Sequence, residues 1–399
     1  MVEFMKRTWV QIDLDTLRKN FEAIRQAVRP ETKIMAVVKA DAYGHGVEFT
    51  ARELVKDGAD WFAVSNLEEA LQVRKAGIDK PILILGYTPP EYAQQLALNN
   101  ISQAVFNSDY ANKLSKNAVE SGVEVSIHIK IDTGMTRIGF TYQDNVRDSS
   151  TVDDIEEVCK LKGLYKEGIF THFAKADEGA QGEAYTRLQY ELFTNIIDRL
   201  KARGIEFELR HCCNSAATVC YPEMQLDMVR PGIILYGMQP SNQQQRKLDL
   251  SPVMELKTVV SMIKKVDKDT SVSYGGTYTT DDEIMVATVP VGYADGYPRS
   301  LSNKGEMLVN GKRVKIIGRV CMDQLMLDVS GIDNISEGLI VTVFGKDDKG
   351  NSITADEIAQ ITGTINYEIT CGISKRVPRV FIKDGKTLGI TDYILSVEN

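Results

Sequence analysis

The chain has 399 residues, 43% of them hydrophobic and 26% charged, with a net charge of −8. That length holds two domains, one of which could be a barrel of about 250 residues, and the composition is that of a globular protein with ample core. An acidic balance argues against a broad nucleic-acid surface, no apolar run reaches membrane-spanning length, and six scattered cysteines without a CxxC pair argue against a zinc ribbon or disulfide framework. The N-terminal stretch lacks a signal-peptide apolar core, so a cytoplasmic protein with reduced thiols is expected, with no membrane or nucleic-acid partner.

In chain order, residues 14–28 form an amphipathic pattern with Leu14, Leu17, Phe21, Ile24 and Val28 on one face. A β-rich apolar run then ends in a single lysine, predicting a buried strand over 34–39 and a glycine-punctuated loop after it. Further strands are expected at 61–65, 82–86, 103–106, 125–132, 164–173, 207–212 and 226–237, with helical patterns between them, notably at 47–56, 67–76 and 183–203. Eight strand–helix alternations are the count of a (β/α)8 TIM-type barrel. A doubly wound sheet would usually carry GxGxxG after its first strand, and none is present. After Gly237 a polar linker leads to strands at 254–266, 284–291, 306–317, 325–329 and 339–344, and a helix at 355–362 capped by Thr354. The expected architecture is an α/β N-terminal barrel over 1–242 followed by a mainly β domain over 243–399.

Residues with chemistry cluster at the expected strand ends. Lys39 would point into the crevice where barrels do chemistry; desolvation there favours a neutral, nucleophilic amine of the kind that forms Schiff bases. A lysine reaching from a strand end into water is the alternative. Asn214 or Ser215 could open a helix, and Gly232 and Ile233 present backbone amides, after the last two strands, where barrels often bind phosphate; an ordinary cap and turn would read alike. On the fifth strand, alternation sets His128, Lys130 and Asp132 on one face. Arg137 follows in a loop and suits a carboxylate or a phenolic oxygen, or an ion pair with Asp132. His172, at the end of the sixth strand, could lie against a planar ligand or be a satisfied core histidine. The four histidines lack HExxH spacing, and no metal site is expected.

The segments AVVKADAYGHG, IDTGMTRIGF, THFAKAD, NSAA, MVRPGIILYG, SYGGTY, VPVGYADGYPR, GRVCMDQ and INYEI run in order through nearly the whole chain, and together they resemble alanine racemase. The resemblance implies a pyridoxal 5'-phosphate enzyme with a barrel and a C-terminal β domain, acting on alanine as a homodimer with shared active sites. It implies that Lys39 carries the cofactor and that Tyr274 is the second base, supplied by the other subunit. Arg137 and the Met322 amide would hold the substrate carboxylate, and Tyr43, Ser215, Gly232, Ile233 and Tyr367 the phosphate. Arg230 would face the pyridine nitrogen with His211 behind it, and His172 would lie beside the ring. Lys130 matches a position carbamylated in some members; a lysine neutralised by Asp132 is the alternative. Decarboxylases of the same architecture typically place a carboxylate where Arg230 stands, and single-barrel cofactor-binding proteins would lack Tyr274 and Met322. The implied role is cytoplasmic supply of D-alanine for peptidoglycan.

Overall fold

The computed structural model describes residues 4–395, which divide into two compact units, residues 17–42 with 47–251, and residues up to 16 with 43–46 and those from 252 onward. The first unit is a nearly closed parallel barrel. Its strands, in order around the sheet, are Met228–Val229, Lys33–Val37, Trp61–Val64, Ile82–Ile84, Ile101–Val105, Val125–Asp132, Leu164–Phe170 and Leu209–His211. Two backbone bonds, from Asp227 N to Arg210 O and from Arg230 N to Cys213 O, draw the first and last of these together. The strands are almost continuously apolar and buried, as expected of a sheet covered by helices outside and packed side chains within. The outer helices include Val47–Asp57, Leu67–Lys75, Ser108–Glu120 and Ala180–Lys201, and Asn66 and Asn107 each cap the one that follows by accepting an amide.

The second unit is β-rich. Its main sheet runs Met262–Val266, Ile284–Val289, Leu325–Asp328, Lys312–Ile317, Glu306–Val309, Ile340–Lys346, Met254–Val259, Thr8–Asp13, Arg379–Lys383 and Lys386–Thr391. The helix over Ala355–Thr362 is capped by Thr354, whose side chain accepts from Glu357 N.

The barrel and β domain match the expected fold, and several elements differ in detail. The N-terminal strand Thr8–Asp13 was not anticipated. It lies between Met254–Val259 and Arg379–Lys383, so the first residues of the chain group with the C-terminal strands and not with a barrel starting at residue 1. The expected strand over 254–266 is two strands with different neighbours, and 306–317 is a hairpin turning at Asn310–Gly311, both at positive φ. The eighth barrel strand is only Met228–Val229, because Pro231 lacks an amide for the ladder and Ile233–Tyr236 coils into a short 3₁₀ turn. The sixth ends at Phe170, leaving His172 in the loop beyond.

Candidate active site

Lys39 does not end the first strand as a continuation of it. The strand stops at Val37, and Lys39 opens a left-handed turn in which Ala40, Asp41, Ala42 and Tyr43 have φ of 51, 54, 55 and 54°. Each such residue costs about 1–2 kcal/mol for an L-amino acid. A run of four persists only where its surroundings over-determine it, and such runs cluster at functional sites. The fixing contacts are visible. Val38 N donates to Ala63 O at 2.9 Å, Ala40 N to Glu69 Oε1 at 2.7 Å, and Val47 N to Asp41 Oδ1 at 2.8 Å. Glu69 also accepts from Ser65 N at 2.8 Å, which ties the turn to the loop after the second strand. A half-buried Lys39 is thus presented on backbone with little freedom.

Within the barrel, Arg230 lies just beyond the eighth strand and is almost fully buried. It donates to His211 Nδ1 at 2.8 Å, to Thr171 O at 2.8 Å and to Cys212 O at 3.0 Å. A weaker contact reaches His172 Nδ1 at 3.4 Å. Burial pulls the guanidinium down to about 10, so it remains charged at neutral pH. Its charge and burial act on the neighbours: both His172 and His211 are held well below the usual imidazole value, first by burial and then by Arg230, so both rings are neutral.

Lys130 is buried, donates to Ile131 O at 2.7 Å, and lies 5.4 Å from the centre of the Phe170 ring. Burial, then Arg230, lower its ammonium to about 7, with Arg137 adding to the fall and Asp132 opposing it. Asp132 gives its carboxylate elsewhere: Oδ1 accepts from Gly134 N at 3.0 Å and Thr136 N at 2.9 Å, shaping the loop that carries Arg137. Arg137 itself is exposed on that loop.

The loops after the seventh and eighth strands meet through Gly232 N, which donates to Ser215 Oγ at 2.8 Å. Asn214 caps the short helix Ser215–Cys220 by accepting from Ala217 N. Ser215 and Ile233 each open a helical turn, where first-turn amides have no partner within the helix. The Ser215 hydroxyl, already accepting from Gly232, has its proton left to donate.

In the β-rich unit, Tyr43 and Tyr367 have ring centres 5.9 Å apart at 49°. The backbone beside Tyr43 is held by the buried Arg379, which donates to Gly44 O at 3.1 Å and to the carbonyls of Ile373, Ser374 and Val377. Tyr274 opens a 3₁₀ turn after Ser273, whose hydroxyl donates to Arg319 O at 2.8 Å. Tyr274 is 71% exposed, and Met322 is 52% exposed. The carbonyls of Cys321 and Met322 accept from Tyr293 and Ala294, fixing that loop. Beneath it, buried Asp295 is ion-paired with Arg7 and with Arg376, the latter at 3.0 Å.

The barrel therefore brings together Arg230, His211, His172 and Lys130, and separately joins Ser215 to Gly232; the β-rich unit pairs Tyr43 with Tyr367. Glu69 and Thr171, which hold Lys39 and Arg230 in place, carry no signal in the sequence, because each acts through a contact with residues far along the chain.

The family model described as "Alanine racemase, N-terminal domain" matches residues 12–240, and "Alanine racemase, C-terminal domain" matches residues 253–381. The chain is similar to the alanine racemase of Clostridium tetani, 45% identical over 396 residues that cover 99% of this chain and all of the relative. It is 47% identical over 375 residues to that of Desulforamulus reducens, covering 94% of this chain and 98% of the relative. Among solved structures it resembles the alanine racemase of Clostridium difficile 630, with a TM-score of 0.92 and 39% identity over 98% of this chain and all of that one. It also resembles the enzyme of Bacillus anthracis with bound L-Ala-P, with a TM-score of 0.91 and 38% identity over 99% of this chain and all of that one.

Proposed function

The chain belongs to the alanine racemase family, and from that premise we propose that it interconverts L-alanine and D-alanine with pyridoxal 5'-phosphate on Lys39. The observation that carries the reading is Arg230: a buried, charged guanidinium held by three strong acceptors at the same strand ends as Lys39. The residues suit the cofactor. An amine stands on a fixed turn, a cation is available for a pyridine nitrogen, and the hydroxyl of Ser215 with the amides that open two helical turns suits a phosphate.

When bound, pyridoxal phosphate withdraws electrons from the α-carbon of an amino acid joined to it, which lets an otherwise very weak acid lose its proton. Inversion then needs a base on each face of the α-carbon. Lys39 would serve one face, and Tyr274 the other. Arg137 and the Met322 amide hold the carboxylate and so fix which bond faces which base. Tyr43, Ser215, Gly232, Ile233 and Tyr367 would hold the phosphate, and His172 would help to hold the ring. Arg230, charged at neutral pH, would disfavour a proton on a pyridine nitrogen beside it. That would moderate the electron withdrawal the cofactor supplies and so limit transamination.

The high exposure of Tyr274 and Met322 supports their serving the barrel of a second copy, so the working form would be a homodimer with shared sites. D-alanine made in the cytoplasm would supply peptidoglycan. No helix among the described residues is long and apolar enough to cross a membrane. The test is borohydride reduction followed by peptide mapping: the reduced adduct is expected on Lys39, and finding it on another lysine would refute the assignment.

A further inference from the structure

Behind Arg230 the barrel holds a chain of side chains that racemisation, as set out above, does not use. His211 accepts from Arg230 at Nδ1. Its other nitrogen, Nε2, lies 2.9 Å from His128 Nδ1. His128 Nε2 lies 3.1 Å from Glu167 Oε2, and the same oxygen accepts from Ser102 Oγ at 2.5 Å. Both imidazoles are fully buried.

Proton bookkeeping gives this chain one direction. The guanidinium can only donate, so His211 Nδ1 must accept and its proton must sit on Nε2. That proton points to His128 Nδ1, which must also accept, so the His128 proton sits on Nε2 and points to the carboxylate. Every hydrogen in the row is placed by the two charged ends. The carboxyl is kept ionised: burial works to raise it, and the hydrogen bonds from His128 and Ser102 outweigh that and hold it below its usual range.

The backbone has been shaped to build the row. Between Val125–Asp132 and Leu164–Phe170 the register slips by one residue: Lys166 faces Ile127, Gly168 faces His128, and Glu167 is the extra residue between them. Such bulges re-aim a side chain, and here the side chain is Glu167. Gly168 leaves room for the imidazole, since a Cβ there would stand 2.4 Å from His128 Nδ1.

We propose that Glu167, through His128 and His211, is a positioning residue for Arg230: it accepts the last proton of the row whose tautomers the guanidinium sets, orients both imidazoles so that His211 Nδ1 faces the guanidinium, and so holds the guanidinium at the pyridine nitrogen. The final clause rests on the proposed reaction, and the tautomers do not.

Two measurements test it separately. Nitrogen NMR of histidine-labelled holoenzyme should show His128 and His211 both as Nε2–H tautomers. A His128 carrying its proton on Nδ1 would overturn the proposal whatever the enzyme catalyses. In Glu167→Leu, the His128 Nε2 proton loses its acceptor, so the His128 nitrogen signals should shift, and transamination per racemisation event, read as loss of the cofactor's visible absorbance, should rise about three- to tenfold, the worth of one hydrogen bond. Glu167→Gln retains an acceptor and should keep both tautomers. If Glu167→Leu does not fold, Ser102→Ala, which removes one of the two donors to the same carboxylate oxygen, is read by the same two measurements. A Glu167→Leu or Ser102→Ala chain whose His128 signals shift while its transamination ratio does not would leave the row real and refute its role at the cofactor; His128 signals unchanged in that chain would refute the row.

Discussion

Arg230 donates to Nδ1 of His211 at 2.8 Å, and both side chains are buried. Replacing His211 with leucine would remove the acceptor and leave a charged donor in a dry place. The expected loss of stability is about 1–3 kcal/mol, measured by urea unfolding. An unchanged midpoint would mean that Thr171 and Cys212 alone satisfy the guanidinium.

Lys130 predicts a pH dependence. Its folded value is lowered to about 7 from 10.5. Well below pH 7 both folded and unfolded chains carry the proton, and the folded one bears the penalty of a buried charge beside Arg230. Between those two values the unfolded chain binds more protons, so the penalty is relieved as pH rises. In buffer free of carbon dioxide, Lys130→Met should therefore stabilise the protein at pH 7 and lose that advantage as pH approaches 10.5. A constant difference across that window would refute the buried-charge account. The same lowered value leaves much of the amine neutral at pH 7, the form that takes up carbon dioxide. With labelled bicarbonate, a carbamate carbon signal is expected in the natural chain and not in Lys130→Met.

The two bases should be face-specific. Tyr274→Phe keeps the ring and removes the oxygen, so racemisation should cease. In heavy water Lys39 should still exchange the α-proton of D-alanine, faster than that of L-alanine and with little inversion. Equal exchange of both enantiomers would point to one mobile base.

Assembly has its own test. Lys39→Ala and Tyr274→Phe chains should each be inactive, and subunit exchange between them should restore part of the activity by creating sites with both bases. Mixed dimers that form without activity would mean that each site is built from one chain.

Asp295 is fully buried between Arg7 and Arg376, whose side chains are 36% and 32% exposed. Asp295→Asn should cost roughly 3 kcal/mol, the low end for breaking a buried pair, because both arginines keep some water. Chemical denaturation measures it, and a loss below about 1 kcal/mol would class the cluster with ordinary surface pairs.

Much of this was legible in the sequence, for reasons particular residues make plain. The barrel strands could be found because burial on both faces writes itself as unbroken apolar runs such as Ile34–Val38. The hairpin at Asn310–Gly311 had a signal, an Asn-Gly pair between two β-rich runs, which reading 306–317 as one strand passed over. Thr8–Asp13 also alternates as a strand should, but its neighbours lie more than 240 residues away, and no local pattern names them. The left-handed turn after Lys39 was illegible: Ala and Tyr carry no preference for positive φ, a lone Asp only a slight one, and the turn exists because Glu69 and Asp41 hold it. The placement of Glu167 depends on a one-residue slip that periodicity cannot encode.

The division of the chain into units has a consequence for recombination. The chain passes between them at four points, after residues 16, 42, 46 and 251. A chimera joining two relatives at the polar linker near residue 242 would look like a clean exchange of modules. It would nevertheless give the incoming β unit a foreign first strand, Thr8–Asp13, and a foreign Tyr43, with Gly44 to be gripped by an arginine from another parent. Shuffled libraries cut only at that linker should yield few soluble members, and those that also transplant residues 1–16 and 43–46 should yield more. Inheritance in this protein is by interleaved segments, and a crossover map drawn from the linear order of its domains would misplace the breakpoints.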